Sequence, residues 1–263
     1  MAFARVNGIV IHYELRGNPG GRAIVFANSL GTDFRIWNAV TPALENEFRI
    51  LLYDERGHGL TDAPPAPYAM TDHVQDLAAL LDHLGIARTA VVGLSVGGLI
   101  AQGLAAARPD LVSALVLCDT AHKIGTADMW NARIDAVTKN GIASLADAVM
   151  ERWFTPAYRQ PDNADFAGYV NMLVRQPVEG YAGTCAALRD ADLTESTRAL
   201  KLRALLLVGD QDGSTPPDLV RSTADLIAGS RFEIVKDAGH LPCIEQPAAT
   251  ARLIGDFLKE EAA

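Results

Sequence analysis

Ser95 stands in Gly93-Leu94-Ser95-Val96-Gly97, a Gly-x-Ser-x-Gly pentapeptide whose small flanking residues let a strained strand-to-helix turn push a hydroxyl clear of a sheet. A shuffled chain of this composition would contain such a pentapeptide in about one case in twenty, so the setting carries the weight. The setting fits: the apolar run Ala90 to Leu94 ends at the motif, and a helical pattern opens after Gly98. A serine hydroxyl becomes a useful nucleophile when an imidazole takes its proton, and that imidazole needs an acid to fix its tautomer. Sites built on this turn run serine, acid, histidine along the chain. Only His122 and His240 follow Ser95. His240, in Asp237-Ala238-Gly239-His240 after the last strand-like run, is the expected base, and His122 is a lesser candidate near the site.

Three carboxylates compete for the acid. Asp210 and Asp212 lie in Gly209-Asp210-Gln211-Asp212, at the carboxyl end of an apolar run where α/β sites are built, and Asp119 ends another such run. Spacing leaves the three open. The remaining histidines read as structural: His12 in an early strand, His58 in a turn, His73 and His83 on an amphipathic helix.

These groups need a sheet to hold them. Phe3 to Val6 and Ile9 to Leu15 flank Asn7-Gly8, the signature of a two-residue hairpin. Short apolar runs follow at Ala23–Ala27, Ile50–Tyr53, Ala90–Leu94, Val112–Cys118, Ala204–Val208 and Phe232–Val235, and they read as strands buried on both faces. Helical patterns separate most of them, the clearest being Val74, Leu77, Leu81 and Leu84, preceded by Thr71-Asp72 and ended by Gly85. The alternation predicts an α/β fold with a mostly parallel twisted sheet and helices on both faces. Between residues 120 and 197 the strand runs vanish. Trp130, Ile134 and Val137, then Ile142, Leu145, Val149 and Trp153, fall at helical spacing, so this segment is expected to be a helical cap inserted into a core of residues 1–119 and 198–263.

Composition excludes several function classes. The 263 residues are 49% apolar and 21% charged, ordinary for a folded protein. A net charge of −9 without a compensating basic run opposes binding to nucleic acid. Cys118, Cys185 and Cys243 are odd in number and without metal-ligand spacing, and they read as reduced thiols; with no secretory signal at the start, a cytoplasmic location is expected. Thr89 to Ala107 carries no charge, but its glycines, Ser95 and Gln102 make it a strand, a turn and a buried helix, not a membrane span. No metal or organic cofactor is expected, and the oligomeric state is open.

Asn28-Ser29-Leu30-Gly31-Thr32, Tyr53-Asp54-Glu55-Arg56-Gly57-His58-Gly59, the Ser95 pentapeptide, Gly209 to Asp212 and Ala238-Gly239-His240 together resemble the α/β-hydrolase family over nearly the whole chain. The Asn-Ser-Leu-Gly-Thr form, with Trp130 to Ile134 and Arg152 to Pro156, resembles more narrowly the 3-oxoadipate enol-lactonases, although related carboxylesterases and cofactor-free haloperoxidases share some of these segments. The resemblance implies Asp212 as the acid and the backbone N–H groups of Leu30 and Val96 as the oxyanion hole. It also implies hydrolysis of a small carboxylated lactone, with Arg133, Trp130 and Trp153 at the substrate. Arg133 lies three residues after Trp130, so the two share a helix face; the alternative is an Arg solvated on the outer face. The Asp54 to Gly59 turn reads as loop-fixing, with Arg56 tying backbone carbonyls. Rival activities on the same triad are other carboxylesterase, carbon-carbon bond hydrolase and perhydrolase chemistry, and a rival of another class is a non-catalytic ligand receptor.

Overall fold

Asn7 and Gly8, at φ of 46° and 81°, close the two-residue turn between β1 (Ala2–Val6) and β2 (Ile9–Gly17). Antiparallel register sets Val6 opposite Ile9 and Ala2 opposite Tyr13. The computed structural model describes residues 1–260; positions 261–263 of the expected core segment lie outside that range. β2 continues past the hairpin to pair antiparallel with β4 (Phe48–Tyr53), which joins the hairpin to the main sheet.

From β4 onward every pairing is parallel. The sheet has eight strands in the order β1-β2-β4-β3-β5-β6-β7-β8, with β3 at Arg22–Ala27, β5 at Thr89–Leu94, β6 at Val112–Cys118, β7 at Arg203–Gly209 and β8 at Arg231–Val235. β5 is buried at all six positions, as a central strand covered on both faces must be. β8 departs from the expectation. It is the edge strand, with a strand neighbour on one side only, and Ile234 is 49% exposed. β3 pairs with β4 on one side and β5 on the other, so the chain direction across the sheet reverses there. The crevice beyond the carboxyl ends of β3 and β5 is where a ligand site is expected.

The helices are α1 (Met70–His83), α2 (Val96–Ala107), α3 (Ala127–Asn140), α4 (Ala146–Trp153), α5 (Ala164–Val174), α6 (Val178–Asp190), α7 (Thr194–Arg198), α8 (Pro217–Ala224), α9 (Pro242–Glu245) and α10 (Pro247–Lys259). α1 starts earlier than Thr71-Asp72 suggested: Asp72 sits inside its first turn, and its carboxylate accepts the Ala69 N–H at 2.8 Å. Between β6 and β7 lie α3 to α7 with no strand among them. α6 was not legible as an amphipathic helix because both its sides are covered. It is buried continuously from Gly180 to Leu188, packed against α3 and α1. Among the described residues no helix is long and apolar enough to cross a membrane, and the uncharged stretch 89–107 is β5, a turn and α2.

Candidate active site

Ser95 sits between β5 and α2 at φ 57° and ψ −116°, a region that a non-glycine residue occupies only when its surroundings force it there. The forcing is visible. A Cβ on Gly93 would collide with the Gly97 carbonyl, and one on Gly97 would collide with the Ala27 carbonyl, so neither flanking position tolerates a side chain. The Ser95 N–H donates to Cys118 O at 3.0 Å, and its carbonyl accepts from Thr120 Oγ1 at 2.6 Å and Gly98 N–H at 2.9 Å. The backbone is thus clamped on both sides, while the hydroxyl belongs to the lining of a cavity shared with His240.

His240 lies after β8, with its Nδ1 2.9 Å from Asp212 Oδ2 in a fully buried pair. Asp212 follows β7 in Asp212-Gly213-Ser214-Thr215, a turn in which its Oδ1 accepts the N–H groups of Ser214 (2.7 Å) and Thr215 (3.0 Å). Thr215 Oγ1 donates to Oδ2 at 2.6 Å. Burial pushes the Asp212 carboxyl up, but the His240 charge and hydrogen bond, with Thr215 and the Ser214 amide, hold it below its ordinary value on balance. Asp210 is exposed and only accepts the Ala238 N–H, at 3.3 Å, so geometry separates the two carboxylates that spacing could not. The Asx-turn pattern of Asp212 followed by Gly-Ser-Thr is the signal in the sequence that distinguishes them. His122 is held by Thr223 Oγ1 at 3.0 Å and does not line the cavity. Asp119, Asp212 and His240 offer atoms within 4.8 Å of one another, a grouping a metal ion could use, although His240 Nδ1 is already engaged with Asp212.

The His240 loop is anchored from the helical insertion. The His240 N–H donates to Trp153 O at 2.8 Å, and the Gly213 N–H donates to Arg152 O at 3.3 Å. Glu245, which sequence reasoning passed over, accepts from Thr155 N–H and Oγ1 through Oε1 and from Gly239 N–H through Oε2.

The loop after β3 faces the nucleophile. Gly97 N–H donates to Asn28 O at 3.0 Å and Gly31 N–H to His58 Nε2 at 3.0 Å, whereas the Leu30 and Val96 N–H groups have no acceptor among the described residues. The Asp54 to Gly59 turn supports this loop from behind. Glu55 accepts from Asn28 N–H and Nδ2, and Asn28 Oδ1 accepts from Trp37 Nε1. Burial moves the Glu55 carboxyl up to about 8 and the His58 imidazole down to about 4. Arg56 does not tie backbone carbonyls as expected. Its guanidinium makes a two-point pair with Asp76, at 2.6 and 2.8 Å, because a buried guanidinium gains most from a carboxylate of matching shape.

The cavity over Ser95 and His240 holds about 360 Å³. Trp130, Trp153 and Arg133 all line it, and the Arg133 guanidinium lies over the Trp130 ring at 5.2 Å from its centroid. Arg152 and Tyr181 join them, neither marked out beforehand as a ligand contact. Burial pushes the Tyr181 phenol up to about 12 against the pull of Arg133, so it stays a neutral donor. The lining carries two guanidiniums and no carboxylate.

A parallel sheet with a serine on a strained strand-to-helix turn, and a histidine paired to an aspartate on later strands, defines an α/β-hydrolase. The chain belongs to that family: residues 22–247 match the model described as alpha/beta hydrolase fold. It is similar to 3-oxoadipate enol-lactonase 2 of Acinetobacter baylyi, at 32% identity over 95% of this chain and 94% of that one. The enol-lactonase of Burkholderia xenovorans superposes with a TM-score of 0.95 at 38% identity, over 98% of this chain and 100% of that one. A thermophilic esterase from Thermogutta terrifontis, solved with malate bound, superposes at 0.92 and 27% identity, each chain being covered to 98%.

Proposed function

We propose that this hydrolase opens the ring of a small carboxylated enol-lactone, with 3-oxoadipate enol-lactone as substrate and 3-oxoadipate as product, in the breakdown of aromatic compounds. The observation that carries the reading is the cavity lining: Arg133 and Arg152 share it with Ser95 and His240, and no carboxylate lines it to satisfy them. In a protein of net charge −9, such a pocket is selective for an anion that arrives with the ligand. Solution of a related esterase with malate bound is consistent with carboxylate ligands in this family.

In this reading Ser95 Oγ attacks the lactone carbonyl as its proton passes to His240 Nε2. Nδ1–H, held by Asp212, keeps Nε2 free to accept and steadies the imidazolium. The Leu30 and Val96 N–H groups receive the tetrahedral oxyanion, where losing one donor typically costs about a hundred- to a thousandfold. Collapse breaks the ring C–O bond, the leaving enolate takes the proton from His240, and the enol tautomerises to a ketone. Water then gives a proton to His240 and its hydroxide to the acyl carbon; collapse breaks the Ser95 ester bond as His240 returns the proton to Ser95 Oγ, and the second carboxylic acid is released and ionises. The helices of residues 120–197 act as the cap that places Trp130, Arg133 and Trp153 over the substrate.

The test is a turnover screen of lactones and esters with and without a free carboxylate, run alongside labelling by a fluorophosphonate. Preference for the carboxylated lactone by at least tenfold in kcat/KM, with Ser95 labelled, supports the reading. Efficient turnover confined to uncharged esters would overturn the substrate, and failure of Ser95 to label in folded protein would favour a ligand receptor.

A further inference from the structure

Asp119 is the buried ionisable group beside the site that the mechanism above does not use. It directly follows β6, the strand lying between β5, which leads to Ser95, and β7, which leads to Asp212. Its backbone is held at φ 45° with its N–H donated to Leu207 O at 2.8 Å, and its exposure is 0%. Oδ1 accepts the Gly209 N–H at 2.9 Å, at the start of the turn that presents Asp212. Oδ2 is buried and has no hydrogen-bond donor facing it among the described residues.

The Asp212 carboxylate lies close by. Atoms of Asp119, Asp212 and His240 lie within 4.8 Å of one another. The other titratable groups around Asp119 are the Cys118 and Cys243 thiols and Glu245, none of them a cation; His240 can carry positive charge, but its Nδ1 is engaged with Asp212, so any charge it holds is directed there first. Two carboxylates this close and this buried cannot both be ionised without a large Coulomb penalty. The proton must sit on one of them. Asp212 accepts from two backbone N–H groups, a hydroxyl and an imidazole N–H, whereas Asp119 accepts from one amide, so the charge belongs on Asp212 and the proton on Asp119.

We propose that Asp119 is held as a neutral carboxylic acid whose Oδ2–H donates to the Asp212 carboxylate, making it a positioning residue for the acid–base pair. Burial and the Asp212 charge push the Asp119 carboxyl well above its ordinary value, in the direction the proposal needs. An O–H donor to a carboxylate makes a short, strong hydrogen bond, and here it would fix the carboxylate that orients His240. The inference rests on Asp212 and His240 being the catalytic pair, but its first test does not require turnover.

Infrared difference spectroscopy of wild type against Asp119→Asn at neutral pH should show the C=O stretch of one protonated carboxyl, shifted in heavy water and lost in the variant. Absence of that band overturns the proposal whatever the enzyme hydrolyses. In kinetics, Asp119→Asn keeps an acceptor for Gly209 and an N–H donor for Asp212, and should stay within about threefold of wild type in kcat. Asp119→Ala should lose about ten- to a hundredfold in kcat with KM nearly unchanged. As pH rises and Asp119 ionises, wild-type kcat should fall while Asp119→Asn stays level. A folded Asp119→Asn as impaired as Asp119→Ala, or more impaired than Asp212→Asn, would mean that Asp119 acts through its charge and would refute the assignment. If Asp119→Ala does not fold, the infrared band and the Asp119→Asn profile still decide it. Loss of Ser95 labelling in wild type would instead sink the hydrolytic mechanism and leave the infrared result standing.

Discussion

Replacing Arg133 with Ala removes one half-buried guanidinium from the cavity over Ser95 while leaving the triad untouched. A charge-assisted hydrogen bond is worth roughly 1.5 to 3 kcal/mol, so kcat/KM for the carboxylated lactone should fall about ten- to a hundredfold. The stacking of Arg133 on Trp130, 5.2 Å from the ring centroid, adds a second effect: its loss frees the indole to reorient. That part should be felt equally by an uncharged ester of the same size, which therefore serves as the internal control and should lose no more than about threefold. Arg133→Lys keeps the charge but not the planar fork, and should recover part of the loss. Arg152→Ala is the companion variant. Its side chain is exposed, so water and salt screen it, and the expected loss is about threefold or less, shrinking as salt is added. The assay is steady-state kinetics on both substrates for wild type and the three variants. Equal losses on the charged and uncharged substrates would show that Arg133 supports the cap rather than reading a carboxylate, and no loss on either would show that Arg133, although it lines the cavity, makes no contact that the reaction uses.

Ser95→Ala should abolish detectable hydrolysis while leaving the thermal midpoint close to wild type, since only a hydroxyl is removed from a position whose backbone is clamped by Cys118 and Thr120; near-normal turnover would contradict the nucleophile. Asp212→Asn should lower kcat about ten thousandfold through the wrong imidazole tautomer, and Asp210→Asn should change it little. His58 gives a stability prediction with a definite sign. Its folded value of about 4 lies below the unfolded value near 6.5, so its neutral form stabilises the fold fully above pH 6.5 and that contribution drains away as pH falls toward 4. His58→Gln keeps an acceptor for Gly31 without titrating; between pH 7.5 and 4.5 wild type should therefore lose about 2 to 3 kcal/mol relative to the variant in urea unfolding, and parallel pH curves would refute the assignment.

The parts of this molecule legible beforehand were those whose residue types admit one local geometry. Asn7-Gly8 and Gly93-x-Ser95-x-Gly97 demand their turns, and a run such as Thr89 to Leu94 is too apolar to be anything but interior. Spacing leaves Asp210 and Asp212 unseparated because two positions apart on one turn they share place; what distinguishes them is the Gly-Ser-Thr that follows Asp212, whose Ser214 and Thr215 amides close upon its carboxylate. α6 stayed hidden because a helix covered on both sides has no polar stripe to announce it. Arg152 stands out in the sequence only within a segment that carries the family resemblance, and Tyr181 not at all, as their place in the lining depends on the packing of helices far apart in the chain. The turn after β4 was correctly read as scaffolding, but its object, the Asn28 to Gly31 loop, emerges only from the Glu55 and His58 contacts.

The carbonyls of Arg152 and Trp153, with the Thr155 grip on Glu245, hold the turns that carry Asp212 and His240. The insertion is consequently not an interchangeable module. A chimera that grafts residues 120–197 from a relative would inherit a new pocket roof and, in the same stroke, new fastenings for Asp212 and His240. Recombination that aims to change what the pocket accepts should keep Arg152 to Thr155, whose contacts brace the Asp212 and His240 turns, and exchange the segments on either side of it, α3 with Trp130 and Arg133 or α6 with Tyr181. On this architecture, specificity is free to drift on both sides of that short brace, while the brace itself is bound to the chemistry.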